Sequence, residues 1–345
     1  MLGGGIFVTQ NKVLPGSYIN FVNATKATSN IGERGIVAIA LNLGVKPKTV
    51  IEITNVEFAK NCKEILGIEY TSDTAKPLRE LFCHASKAYI YDLGADGNID
   101  EAIDALEPYD FNILCPYTGD ESDITACIAA VKEWRDEMGK KCQVVVYNAS
   151  APKHEGVINV VSTVADEGAD AYGLVAWVAG AEAGCPVNAS CTNMIYDGEY
   201  TIVADKTQTQ LEACLKAGQF VFHNVYGDIR VLEDINSLTD VTADKGEDFK
   251  YNQTIRVIDQ IANDIAKLFN TKYLGKIPNN ASGRVSLWAD IVAHHKQLET
   301  IQAIENFDST LVTVEQGETK KSVVVNDVIT VTNAMAQLYM TVVIQ

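Results

Sequence analysis

Two adjacent imidazoles, His294 and His295, with Glu299 four residues after the second, are the nearest this sequence comes to a metal-binding motif. A zinc shell needs three or four ligands, and no second His motif supplies the remainder. His295 falls on the apolar face of a predicted helix with His294 beside it, so one packed and one solvated imidazole are expected. Asp96, Asn98 and Asp100, with Glu107 eleven residues after Asp96, imitate a calcium loop. The sixth position, where the sharp turn needs Gly, is Glu101, and Asn98 followed by Glu101 reads better as a helix capping box. The eight cysteines include no Cys-x-x-Cys pair, which removes zinc-ribbon and thioredoxin-like chemistry. Most sit in apolar runs and read as buried thiols. Cys185 and Cys191 are near enough in sequence to bridge, but a reducing compartment opposes it. Gly3-Gly4-Gly5 does not lead from a strand into a helix, so it is no phosphate cradle, and neither a Walker A motif nor a Gly-x-Ser-x-Gly elbow occurs. No cofactor or metal is expected.

The elements that would position such residues alternate. Gly35–Leu41, Ala88–Tyr91, Phe111–Cys115 and Gln143–Tyr147 are apolar strands. Between them lie helical patterns at Val56–Leu66, at Leu78, Leu81, Phe82 and Ala85, from Asn98, and at Ile124, Ile128, Val131 and Trp134. Strands apolar on both faces and alternating with helices imply an α/β layered domain. In such a fold a catalytic site would gather at strand carboxyl ends, where Asp92, Asp96, Asp120, Glu121, Asp123 and His154 lie. A cytoplasmic α/β enzyme, hydrolase or nucleotide-dependent, is therefore the alternative reading. Past Pro152 come a small-residue helix over Gly173–Gly184 and a helix from Thr207 to Gly218 with Gln210 at the capping-box position. A hairpin from Gln219–Phe222 to Asp228–Leu232 follows, turning at Tyr226-Gly227.

The polar, acidic stretch Asp240–Asp248 marks a domain boundary. Beyond it are two amphipathic helices, one carrying Ile255, Ile258, Ile261, Ile265, Leu268 and Phe269. The other carries Trp288, Ile291, Val292, His295, Leu298 and Ile301, and Gly275–Gly283 connects them. A hairpin follows, with Leu311, Val312, Thr313 and Val314 opposite Val323, Val324 and Val325. Val328–Val331 resumes the strand pattern, Asn333–Gln337 is a hinge, and the chain closes on a strand of Leu338, Tyr339, Met340, Thr341, Val342, Val343 and Ile344. Such an apolar edge either pairs within its own fold, the commoner case, or is meant for a neighbour. At the other end Ser17, Tyr18, Ile19, Asn20, Phe21 and Val22 alternate as a second strand, reached through Leu14-Pro15-Gly16. The expected division is an N-terminal arm (1–24), an outer α/β domain (25–245), an inner helix and hairpin domain (246–332) and a C-terminal arm (333–345). The fold class is α/β, α+β overall.

A net charge of −17 and a pI near 4.7 argue against nucleic-acid binding, which needs basic surface. No 18-residue apolar stretch is present, Tyr172–Ala183 being too short to cross a bilayer. The start carries no basic n-region, so a cytoplasmic site of synthesis is expected.

With both ends laid out, the sequence resembles the contractile tail sheath family of phages and phage-tail-like bacteriocins, in its short Gram-positive form as in PBSX-like prophages and diffocin-type particles. Four stretches carry the resemblance: Gly4–Phe7 with Leu14–Phe21; Gly35–Ile39 through Val56–Phe58 to Ala88–Tyr91; Leu174–Gly180; and Thr254–Gln345, including Ala334-Met335-Ala336-Gln337-Leu338-Tyr339. The chain has no room for the outer domains of larger sheath proteins, and it lacks a Pro before the Gly173–Gly180 helix. The resemblance implies a structural polymer and not an enzyme. Subunits would stack helically around an inner tail tube protein, exchange N- and C-terminal strands with neighbours, and meet a baseplate and tail terminator at the ends. Contraction would drive the tube through a target envelope. It also implies a tube-facing surface, expected on the second long helix at Trp288, His294 and Lys296. A secretion-system sheath would use the same mechanics.

Overall fold

Alternation of side chains along one short strand sets the architecture. In β1 (Ile36–Leu41) Val37, Ile39 and Leu41 point to one face and Ala38 and Ala40 to the other, and all five are buried. A strand buried on both faces must sit inside a sheet covered by helices on both sides. The computed structural model describes residues 31–94 and 97–342; the expected arm strand Ser17–Val22, Asp96, Val343 and Ile344 lie outside them.

The chain continues through β2 (Val50–Thr54), α1 (Asn55–Leu66), α2 (Lys76–Leu81), β3 (Lys87–Asp92), α3 (Ile99–Leu106), β4 (Ile113–Pro116), α4 (Glu121–Asp136), β5 (Gln143–Tyr147), β6 (Val157–Val160), α5 (Leu174–Gly184), α6 (Gln208–Lys216) and β7 (Gln219–Phe220). The sheet has seven strands in the order β2-β3-β1-β4-β5-β6-β7, parallel except for β2, which runs antiparallel beside β3. Residues of α1, α2 and α5 cover one face, and those of α3 and α4 cover the other.

Local chemistry explains several boundaries. Thr54 and Glu57 form a reciprocal capping box on α1, and Gly67 ends the helix with a left-handed φ of 75°. Thr207 and Gln210 do the same at the start of α6, as expected. Asn98 caps α3, but Glu101 turns away to an ion pair with Lys48, so the expected capping box is only half made. Helix α5 is buried along most of its length because α2 crosses it closely. A Cβ on Gly180 would lie 2.2 Å from the Leu81 carbonyl oxygen, so only Gly allows that approach.

The hairpin β8 (Phe222–Val225) to β9 (Asp228–Val231) follows, with φ of 54° at Tyr226 and 102° at Gly227. Gln219–Phe220, expected to belong to that hairpin, instead extend the main sheet alongside β6. Then come α7 (Asn252–Leu268), α8 (Ala281–Thr300), β10 (Ile304–Glu305), β11 (Thr313–Gln316), β12 (Val323–Asn326) and β13 (Thr330–Val331).

Helix α7 departs from the apolar-stripe expectation. Ile258, Ile261 and Ile265 are only partly buried, while Arg256, Asp259, Gln260 and Asp264 are buried. Its polar face docks on the α/β layers. Arg135 of α4 grips Asp259 bidentately at 2.6 and 2.9 Å. Arg256 reaches Glu182 of α5 at 2.6 Å and Asp234 at 3.3 Å. Charges this deep persist only when paired, and here the pairs join residues on either side of the expected boundary.

Candidate assembly interface

The expected hairpin forms, with β11 and β12 antiparallel and Val314 opposite Val325. Its inner residues Val314 and Val323 pack beside Leu287 and Ile291 of α8. Val324 stands exposed on its outer surface and Val325, on the face of Val314, is exposed toward the strand end; among the described residues the two strands form a sheet of their own, each with one backbone edge that no described strand pairs. The start differs from expectation. Leu311 lies in a single 3₁₀ turn that Asp308 caps, and Val312 is buried with its carbonyl accepting the Trp288 indole N–H at 3.0 Å. Only Thr330–Val331 of the next expected strand pairs, with Ile304–Glu305.

The C-terminal segment is fastened as far as Ala334. Gln253 donates to the Thr332 carbonyl at 3.1 Å and accepts the Ala334 N–H at 2.9 Å, and Thr254 donates to Asn333. Beyond that point Leu338, Tyr339, Met340 and Val342 are 87, 87, 75 and 69% exposed. The terminal strand expected over Leu338–Ile344 is not formed within this chain over Leu338–Val342. Among the described residues no strand lies beside them.

The residues expected to face a tube divide. His294 is fully buried, as is His295, which corrects both its expected solvated state and its expected surface role. The reason is chemical: His294 Nε2 lies 2.9 Å from Asp264 Oδ2 on α7, so the polar face of that helix draws the ring inward. Trp288 is half-buried against the hairpin, and Lys296 is exposed.

The acidic loops at strand ends are occupied by structural work, not gathered around a substrate. Asp92 accepts backbone N–H groups from Leu43, Gly44, Val45, Lys46 and Gly94. Burial acts to raise its carboxyl, but these donors hold it below the ordinary range. Asp120 caps α4, and the Ser122 hydroxyl and backbone N–H groups lower it. Asp123 turns to Thr118, and Glu121 is exposed in the first turn of α4. His154 accepts the Gly156 N–H at Nδ1, 2.9 Å, which places its proton on Nε2 facing Asp136 at 3.3 Å. Burial holds that imidazole below its ordinary value, against the pull of Glu155 and Asp136.

Two groups of ligand-type side chains come together among the described residues, and neither suits a metal. In Asp136, His154 and Glu155 the histidine nitrogen on offer carries the proton, and Lys245 stands 2.7 Å from Glu155 as the cation. In Glu182, Cys191 and Asp234 the Arg256 guanidinium already fills the center. The polar face of α7 was missed in the sequence, although Arg256, Asp259 or Gln260, and Asp264 recur at helical spacing, the signal that marks an apolar face.

Comparison with known proteins places this geometry. Residues 95–237 match the phage tail sheath protein central domain, and residues 244–345 match the phage tail sheath C-terminal domain. The tail sheath protein of Clostridium phage phiCD119 is 31% identical over 309 residues, covering 86% of this chain and 83% of that one. A sheath tail protein of known structure from Desulfitobacterium hafniense is 29% identical, with a TM-score of 0.76 over 87% of this chain and 93% of that one. The helical sheath of the anti-feeding prophage in its contracted state shares the fold at 15% identity, with a TM-score of 0.72 over 96% of this chain and 99% of that one. These matches make the chain a structural sheath subunit, not an enzyme, and it belongs to the phage tail sheath protein family.

Proposed function

We propose that this subunit polymerises helically around an inner tube by exchanging terminal strands with its neighbours, and that the polymer contracts to drive the tube through a cell envelope. The observation that carries this reading is the C-terminal segment. It is held to the body up to Ala334, and then presents Leu338, Tyr339, Met340 and Val342 to solvent, in a chain whose β11–β12 hairpin has edges that no described strand pairs. An added strand supplies backbone partners to such an edge and buries alternate side chains. Ser17–Val22 would be the matching N-terminal arm, and Leu311–Val314 with Val323–Val325 the acceptor. Contacts that pass from one subunit to the next without closing build a helix. Flexible tethers between rigid bodies let those bodies rotate while the polymer stays joined.

The division into an outer domain (25–245), an inner domain (246–332) and two arms is part of the same reading. The inner domain would meet the tube. Lys267, Lys276 and Arg284 follow one another with no Asp or Glu between 266 and 289, while Lys272 is taken up by Asp290 at 2.5 Å; in a chain of net charge −17 these three support an acidic partner surface at the α7–α8 connection, with Lys296 further along α8. A baseplate and a terminator would cap the ends, and assembly would take place in the bacterial cytoplasm before release.

Negative-stain microscopy of the full chain, beside a variant ending at Gln337 and with tube protein present or absent, tests the reading. Hollow ridged tubes from the full chain and none from the shortened one are expected. Equal assembly of both would refute the role of the C-terminal arm.

A further inference from the structure

The paired histidines of α8 are the middle of an unbroken hydrogen-bond chain that runs from Gly32, near the start of the described residues, to Asp327, just after β12. The Gly32 N–H donates to Asp264 at 3.1 Å. Asp264 Oδ2 lies 2.9 Å from His294 Nε2, His294 Nδ1 lies 3.3 Å from His295 Nδ1, and His295 Nε2 lies 2.6 Å from Asp327 Oδ2. Both imidazoles are 0% exposed. Gln260 of α7 gives Asp264 a further donor at 3.0 Å, and the Phe307 ring covers His295 at 5.1 Å. The charged groups facing the rings are Asp264 from α7 and Asp327 from the segment after β12. Glu299, on the same helix, turns instead to the Phe307 N–H. Among the described residues neither aspartate pairs with a lysine or arginine.

The proton count follows from these contacts. Two carboxylate–imidazole contacts and one imidazole–imidazole contact need one hydrogen each. With two neutral rings and two carboxylates, only two hydrogens are present, and one contact sets lone pair against lone pair. With four, two N–H groups collide at the Nδ1–Nδ1 contact. With three, every contact is a hydrogen bond and the four groups carry a net charge of −1, on whichever side of each contact the hydrogen sits. In an apolar surround such a chain is favourable only when complete.

We propose that Asp264, His294, His295 and Asp327 form a hydrogen-bonded clamp, which holds one hydrogen in each of its three contacts and couples the seating of the entering segment at Gly32 to that of the leaving segment at Asp327. The closed clamp holds three hydrogens, one for each contact. That these segments root intersubunit arms rests on the sheath reading; the proton count does not.

The test uses the full chain labelled with 15N in its five histidines. Near pH 7 three protonated nitrogens and one bare nitrogen are expected over His294 and His295, assigned against His294→Gln and His295→Gln. Two protonated nitrogens would overturn the clamp. Hydrogen exchange tests the coupling. In Asp327→Ala, protection at Gly32 should fall together with protection at Thr332–Ala334, while the β1 amides stay protected and report an intact fold. Unchanged exchange at Gly32 would overturn the coupling. Failure to form tubes would count against the arms and leave these readouts standing.

Discussion

Replacing Arg256 with Met should uncouple α7 from the α/β layers. Its guanidinium lies 2.6 Å from Glu182, 3.3 Å from Asp234 and 2.7 Å from the Ala189 carbonyl, and all three charged side chains are 1% exposed. Burial and the nearby Asp234 push the Glu182 carboxyl well above the ordinary range, with Arg256 pulling the other way. Burial also works against the Asp234 charge, but Arg256 and hydrogen bonds, including the Cys191 N–H at 2.9 Å, hold that group low. Arg256 is thus the one cation on which both carboxyl groups lean. Removing the cation strands the Asp234 charge, and breaking a buried pair in this way costs about 3–5 kcal/mol. Total stabilities are about 5–15 kcal/mol. With a slope of about 3 kcal/mol per molar urea, the unfolding midpoint should fall by about 1–1.7 M. Glu182→Gln keeps a polar group beside Arg256 and leaves its pair with Asp234 in place, and should cost less than about 1 kcal/mol near pH 7. A midpoint shift below about 0.3 M for Arg256→Met, or an equal loss in Glu182→Gln, would refute the reasoning.

Other outcomes follow from single contacts. Because the Glu182 carboxyl is raised, the stability gained from holding its proton is complete below the ordinary value near 4.3 and is lost as pH rises through the folded value. Glu182→Gln should remove that part of the decline in a urea series across pH. Gly180→Ala places a methyl 2.2 Å from the Leu81 carbonyl oxygen and should cost about 1–3 kcal/mol, read in the same assay. Asp92→Ala deprives a loop of its acceptor and should cost about 3 kcal/mol, with faster hydrogen exchange at Leu43–Lys46.

Much of the layered domain was legible because buried parallel strands are continuous apolar runs, as in Val144–Val146, and because Gly67 and the Thr207–Gln210 box mark helix ends in the sequence. β6 was missed since it has only four residues and contains Asn159, whose buried side chain is satisfied by the Ala149 N–H and carbonyl. β2 was missed as a short edge strand with polar Glu52 at its center. The deep polar network of α7 was hidden for a different reason. A charged residue is read as solvated unless its partner is known, and Arg256 meets Glu182 across 74 residues of sequence. Alternation identifies Leu338–Val342 as strand-like but says nothing of the partner, so the sequence alone left open whether the strand closes its own fold.

Strand exchange between subunits is tested most directly by cross-linking two singly substituted chains, one Val324→Cys and one Met340→Cys, both carrying Cys83→Ser because Cys83 is the exposed native thiol. Mixed under assembly conditions and treated with a short bifunctional thiol reagent, they should yield covalent dimers that appear only in the mixture. Absence of dimers in assembled tubes, with cross-linking seen only inside a single doubly substituted chain, would contradict the exchange.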